Sequence, residues 1–77
     1  MTNANDLLKK AIDEIIYLNS GEEFLLKDLF KGYDWNRIPF KIRLLLGTLF
    51  LNYINSESKE VIALEKTSAN QQKYKKI

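Results

Sequence analysis

The sequence contains neither cysteine nor histidine. Without cysteine the chain can form no disulfide and no thiolate metal site, and without histidine it has no imidazole to bind a metal or to act as a general base near neutral pH. These absences remove the commonest catalytic groups. Neighbouring carboxylates such as Asp13 and Glu14 are typical of a solvated helix surface. We therefore predict no enzymatic activity, no cofactor and no metal site.

The chain also lacks a long hydrophobic run. No apolar stretch approaches the roughly 20 residues that a transmembrane helix needs. The opening MTNANDLLKK does not place an apolar segment after a basic one, as a secretory signal would. We expect a cytoplasmic protein without a membrane partner.

Apolar and aromatic residues, by contrast, are plentiful. Of the 77 residues, 45% are apolar, and the aromatic side chains are four Phe, four Tyr and one Trp. This composition is typical of a folded protein and not of a disordered segment. A chain of this length forms one domain at most, which we assign to residues 1–77, and folding buries about 60–65% of the surface that the unfolded chain exposes.

Charge is distributed unevenly along the chain. Residues 1–36 contain seven acids and four lysines, a net charge of −3, whereas residues 37–77 contain eight bases and three acids, a net charge of +5. A basic half is typical of proteins that bind nucleic acid or another polyanion. Two oppositely charged faces that meet in a homodimer would give the same counts.

The first predicted element is an amphipathic helix. Apolar residues recur at three- and four-residue spacing through NDLLKKAIDEIIYLN, with charged side chains largely on the other side. We predict a helix over residues 5–19. Asn5 is the expected N-cap, and Gly21 suits a left-handed residue that ends a helix.

The next segment, EEFLLKDLFKG, is ambiguous, because a short apolar run fits either a strand or a helix. We predict an extended stretch over residues 23–25 and a short helix over residues 26–31 that stops at Gly32. The following YDWNRIP has no regular periodicity and is predicted to be a loop, with Trp35 as an anchor in the core.

Pro39 is well placed as the first residue of a third and longest helix, because proline there loses no hydrogen bond and already has a helical φ. The helix is predicted to continue through residue 55. At about 100° per residue, four polar residues fall on one narrow stripe: Lys41, Thr48, Asn52 and Asn55. Gly47 lies on the apolar side, which predicts a close approach by another helix.

The C-terminal third predicts a β-hairpin. The aliphatic and β-branched VIAL, residues 61–64, is typical of a strand, and the polar TSANQQ supplies turn residues before the return strand. We expect Tyr74 to pack across this strand against the core.

This order of elements resembles the winged helix-turn-helix arrangement. The segments FLLKDLFKGYDWNRIP, RLLLGTLFLNY and KTSANQQKYKKI are similar to a family of short proteins from Gram-positive bacteria and their mobile elements, a domain of unknown function. The resemblance extends from about Phe24 to the C-terminus and implies an α+β, winged-helix-like fold with three helices and a C-terminal hairpin. In one departure, Gly32–Ile38 is longer than the turn of a compact helix-turn-helix.

The winged-helix resemblance implies a protein that binds double-stranded DNA, with the third helix in the major groove and the hairpin along the phosphate backbone. The candidates on the third helix and at its start are Arg37, Lys41, Thr48 and Asn52. The candidates on the hairpin are Lys66, Asn70, Gln71, Gln72, Lys73 and Lys75. Arg43 points away from the polar stripe by helix geometry and is not a candidate.

A second interpretation is a protein-interaction module. Leu44, Leu45 and Leu51 would form an apolar patch for a homodimer or for a partner protein, because one small core does not easily cover them. Surface lysines and arginines are usually solvated charges, and TSANQQ also suits a plain turn. The residues therefore leave DNA and protein partners both open.

Overall fold

Three α-helices and a small antiparallel sheet form an α+β fold, as predicted, in a computed structural model that describes residues 3–77. The elements are α1 (Ala4–Glu14), β1 (Glu23–Leu25), α2 (Gly32–Arg37), α3 (Phe40–Ser56), β2 (Val61–Ala63) and β3 (Lys73–Lys76), with short 3₁₀ helices at Ile15–Tyr17 and Leu26–Leu29. Within residues 3–77, no helix combines the length and the apolar character needed to cross a bilayer.

Helix α1 (Ala4–Glu14) begins one residue earlier than predicted and ends five residues earlier, before residue 19. Its N-cap is Asn3, not Asn5: the Asn3 side chain accepts a hydrogen bond from the backbone N–H of Asp6 and donates one to its carboxylate, both 2.9 Å. The Asn3 side chain thus satisfies one of the backbone donors that the start of a helix leaves without an intrahelical partner. Gly21 is left-handed (φ 92°), as predicted, but it belongs to the turn before β1 and not to the helix end.

The position of the second helix was predicted wrongly. Residues 26–29 form only a 3₁₀ turn, and the extended backbone of Phe30 (φ −125°, ψ 152°) separates that turn from α2. Helix α2 therefore starts at Gly32, where a helix was expected to stop, and includes Trp35, which was assigned to a loop. It ends at Arg37 because the residue before Pro39 is restricted to extended conformations.

Helix α3 agrees closely with its prediction. Pro39 is the N-cap, one residue before the helix begins. The buried side is formed by Leu46, Phe50 and Ile54, each four residues from the next and at most 3% exposed. The expected helix contact at Gly47 is wrong, because a Cβ added there would meet no atom within 4 Å. That side of α3 borders open space.

The last strand lies in the middle of the sheet, whose order is β1-β3-β2 with both pairs antiparallel. The predicted hairpin is formed by β2 and β3, and β1 pairs with the other edge of β3. Tyr74 in β3 is 1% exposed. Its ring stacks on Phe24 of β1 at 5.7 Å and meets the edge of Phe50 of α3 at 4.9 Å. The sheet is thus fixed to α3 through one tyrosine.

A single cluster of buried side chains joins all of these layers. It contains Ala11, Ile15, Phe24, Leu26, Leu29, Phe30, Leu46, Phe50, Ile54, Val61 and Tyr74. Trp35 packs against this cluster while remaining partly exposed, and its ring lies 5.7 Å from that of Phe30. Trp35 therefore packs on the core as expected, from a helix instead of a loop.

The core predicts that two phenylalanines of α3 contribute very differently to the free energy of unfolding. Replacing the fully buried Phe50 by alanine should lower the free energy of unfolding by about 3–5 kcal/mol, which is comparable to the whole stability of a small domain. Replacing Phe40, which is 68% exposed, should change it by less than about 0.5 kcal/mol. Urea unfolding followed by circular dichroism checks both values; similar losses would contradict the assigned core.

Burial raises the pKa of the Tyr74 hydroxyl to about 12 from its ordinary value of 10.0. The pKa of Tyr74 is higher in the folded state than in the unfolded state. The free energy of unfolding is therefore unaffected by the ionisation of this hydroxyl below pH 10 and falls as the pH rises toward 12. The free energy of unfolding of the wild type should fall by about 2–3 kcal/mol more than that of Tyr74→Phe over that range. Urea unfolding of both proteins between pH 9 and pH 12 measures this, since the lysines that also titrate are common to both. Parallel pH dependences would disprove it.

Candidate nucleic-acid interface

A groove of about 600 Å³ runs between the N-terminal half of α3 and the long loop of the hairpin, residues 64–72. One wall comes from α3 and includes Phe40, Leu44, Gly47, Thr48 and Leu51; the other comes from the loop and includes Lys66, Ala69, Asn70, Gln71 and Gln72. Five of the ten predicted site residues therefore meet here, namely Thr48, Lys66, Asn70, Gln71 and Gln72. We call this feature the α3 groove.

The described lining of the α3 groove has three cations and no acid. The cations are Lys27, Arg43 and Lys66, which come from three separate parts of the chain. The depression along α1 is different, since its lining includes four acids together with Lys9 and Lys10. The two depressions thus differ in the charges that line them.

Arg37 and Lys41 lie near the groove but do not line it. Both are exposed, at the end of α2 and in the first turn of α3 respectively. The Arg37 guanidinium lies over the ring of Tyr33, 5.1 Å from its centroid. Between residues 35 and 56 the chain contains no acid, so no neighbour in this stretch neutralises either cation.

The joint between α2 and α3 is only Ile38 and Pro39, which corrects the expectation of a long linker over Gly32–Ile38. Arg43 stabilises this joint. Its Nε donates to the Ile38 carbonyl at 3.0 Å, and its guanidinium lies 5.5 Å from the centroid of the Trp35 ring. A second nitrogen of Arg43 donates to the Asn36 carbonyl at 3.2 Å. Arg43 therefore links α3 to the end of α2, a role that no pattern in the sequence indicated.

The polar stripe on α3 is exposed, as predicted, for Lys41, Thr48, Asn52 and Asn55. Of these, only Thr48 reaches the α3 groove. Its hydroxyl donates to the Leu44 carbonyl one turn back, at 3.3 Å. Phe40 was not among the predicted site residues, although it is 68% exposed and lines the groove. Its spacing of four residues from Leu44 and eight from Thr48 was the available signal.

The amide-rich loop is held by its own hydrogen bonds. Asn70 has a left-handed backbone (φ 63°), a conformation that asparagine tolerates, and its N–H donates to the Thr67 carbonyl at 2.8 Å. The Gln72 side chain donates to the carbonyls of Leu64 and Lys73. The amide nitrogen of Gln72 is therefore used inside the loop, whereas Lys66, Asn70 and Gln71 are exposed at the groove.

Lys73 and Lys75 lie outside the α3 groove. They flank the buried Tyr74 in β3 and so project from the opposite, solvent face of the sheet. Lys73 Nζ contacts Glu23 Oε1 of β1 at 2.6 Å. The hydrogen bond from Lys73, and then its charge, hold the pKa of the Glu23 carboxyl below its usual value. The charge of Lys73 is therefore largely balanced within the sheet.

This pairing predicts a change in the titration of one carboxyl. Lys73→Gln should raise the pKa of Glu23 toward its ordinary value, because the largest cause of the lowering is removed. Lys75→Gln is the matched control and should raise it less, since Lys75 acts only through weaker Coulomb attraction. NMR titration of the Glu23 side-chain carboxyl checks both; an equal rise in the two variants would contradict the pairing.

The sequence matches one known family over most of its length. No curated protein and no solved structure matches the chain. The family described as "Domain of unknown function (DUF1413)" matches residues 9–76, a span that starts within α1 and ends with β3. The predicted resemblance to a domain of unknown function is confirmed, and it begins earlier than the predicted Phe24. The span includes the α3 groove, and the chain belongs to the DUF1413 family.

Proposed function

We propose that this chain is a winged-helix-like module that binds double-stranded DNA, with α3 in the major groove and the β2–β3 hairpin along the neighbouring phosphate backbone. The observation that carries the proposal is the α3 groove, whose described lining has three cations and no acid beside the exposed start of the longest helix. We place this activity in the cytoplasm.

The arrangement of elements supports the winged-helix part of the proposal. Helix, strand, two helices and a hairpin follow one another, and β1 pairs with the outer side of the hairpin. Ile38 and Pro39 alone join α2 to α3, and a joint this short is compatible with a helix-turn-helix. The loop of the hairpin lies beside α3, where a wing would contact the backbone on either side of the groove that the helix enters.

The exposed cations divide between the two contact regions. Arg37 and Lys41 lie beside the α2–α3 joint, within reach of a phosphate or a guanine edge, and Lys66 lies on the loop in the lining of the α3 groove. Asn70 and Gln71 offer uncharged hydrogen bonds to the backbone, and Asn52 continues the exposed stripe toward the base edges. Lys75 adds long-range attraction more than contacts, whereas the charge of Lys73 is largely balanced by Glu23.

Salt dependence tests the proposal. Binding of a fluorescent random-sequence duplex, followed by anisotropy, should weaken steeply from 50 to 200 mM salt, because each neutralised phosphate contributes about 0.9 to the logarithmic slope. Arg37→Gln, Lys41→Gln and Lys66→Gln should each reduce that slope by about one. Lys9→Gln removes the same charge from α1, outside the α3 groove, and should leave the slope unchanged. No binding at low salt, or affinity independent of salt, would exclude DNA as the partner.

A second candidate function is protein interaction, and the observation that favours it is exposed apolar area. Leu44 is 58% exposed and Leu45 49%, whereas Leu51, named with them from the sequence, packs partly against the core. If a homodimer forms through this face, the apparent mass from sedimentation equilibrium should rise with protein concentration. The Leu45→Ser variant should keep the mass of the monomer. A monomeric wild type at millimolar concentration would exclude the homodimer.

A further inference from the structure

Three side chains form a row along the exposed side of α3. Phe40, Leu44 and Thr48 follow one another at four-residue intervals, and all three line the α3 groove. The row extends about 12 Å along the helix, at 1.5 Å per residue. Phe40 and Leu44 are 68% and 58% exposed. The Thr48 hydroxyl is already bonded to the Leu44 carbonyl, which leaves its methyl group as the apolar part of the side chain.

The row is not an extension of the core. The core side of α3 is formed by Leu46, Phe50 and Ile54, which are almost completely buried. Large apolar groups exposed together on a surface with basic borders mark a contact site, because their removal from water favours association. Lys27 and Lys66 lie along the same groove, and its described lining contains no acid. The ligand therefore combines negative charge at its edges with apolar groups at its centre.

Duplex DNA has this combination in its major groove. The groove is about 12 Å wide, bordered by phosphates, and the one apolar feature on its base edges is the C5-methyl group of thymine. Phenylalanine and the threonine methyl are among the groups that contact it. The row offers neither the arginine that pairs with guanine nor the asparagine or glutamine that pairs with adenine. Double-stranded RNA is a poor fit, because its major groove is too narrow and deep for side-chain readout.

We infer that α3 recognises thymine-rich duplex DNA through the C5-methyl groups of thymine, which the row of Phe40, Leu44 and Thr48 contacts in the major groove. This inference rests on the proposed DNA binding and adds the base that is read. Lys66 and Lys27 hold the phosphates on the hairpin side, and Arg37 and Lys41 hold those beside the α2–α3 joint.

The test compares two duplexes that differ only in the methyl groups. One is an A·T-rich 16-base-pair duplex, and the other is the same duplex with deoxyuridine in place of every thymidine. Charge and hydrogen-bonding edges are identical in the two. The affinity should fall by about fourfold for each methyl group that is contacted, hence by about tenfold or more for two. Fluorescence anisotropy at one fixed salt concentration gives the ratio.

Two variants of the same helix separate direct contact from a change in DNA shape. Leu44→Ala removes the centre of the row and should reduce the thymine-to-uracil ratio by about fourfold. Leu45→Ala is the matched control, because Leu45 is also exposed, at 49%, but does not line the α3 groove. It should keep the ratio of the wild type. Both positions are solvent-exposed, so thermal unfolding should show both variants folded.

The outcomes distinguish the inference from the function on which it rests. Equal affinity of the wild type for the two duplexes would overturn thymine recognition and leave DNA binding intact. An undiminished ratio in Leu44→Ala would overturn it too, since the discrimination would then come from DNA flexibility. No binding of either duplex at low salt would overturn the proposed function and the inference together. It would indicate that the row of apolar side chains contacts a protein partner.

Discussion

The packing of Tyr74 against α3 is the contact on which the position of the sheet relative to the helices depends. Tyr74 lies in the central strand and meets Phe24 on one side and Phe50 on the other. Aromatic pairs of this kind contribute about 0.5–1.5 kcal/mol each beyond the area that they bury. Because β3 is hydrogen-bonded to both β1 and β2, the position of this one ring orients the whole sheet against the longest helix.

The same contact positions the α3 groove. The loop 64–72 enters from β2 and leaves into β3 one residue before Tyr74, so both of its ends are held against the core. Internal hydrogen bonds at Thr67 and Gln72 then limit the shapes that the loop adopts. Lys66 and Asn70 are consequently presented to α3 by a supported loop. A groove built this way loses little conformational entropy when a ligand binds.

Most of the fold could be predicted from local signals, and the part that could not was decided by tertiary contacts. The start of α3 is indicated by Pro39, and β1 was placed at residues 23–25, where it lies. Helix α2 was missed because YDWNRIP has no helical period of apolar residues. That helix is held by Trp35, whose ring contacts Phe30 and Arg43. Neither contact can be inferred from spacing along the chain.

The candidate site was harder to predict than the fold. The net charge of each half of the chain does not show which cations are free of an acidic partner and can bind an anionic ligand. Lys73 balances Glu23, and Lys76 contacts Glu60 and the Ile15 carbonyl on another side of the molecule. Conversely, Lys27 comes from the acidic half yet lines the α3 groove. A net charge of +2 thus says little about electrostatic attraction at one surface, which depends on local placement and pairing. The proposed polyanion binding depends on the α3 groove, whose described lining contains no acid, and the proposed selectivity depends on the apolar row that lines the same groove.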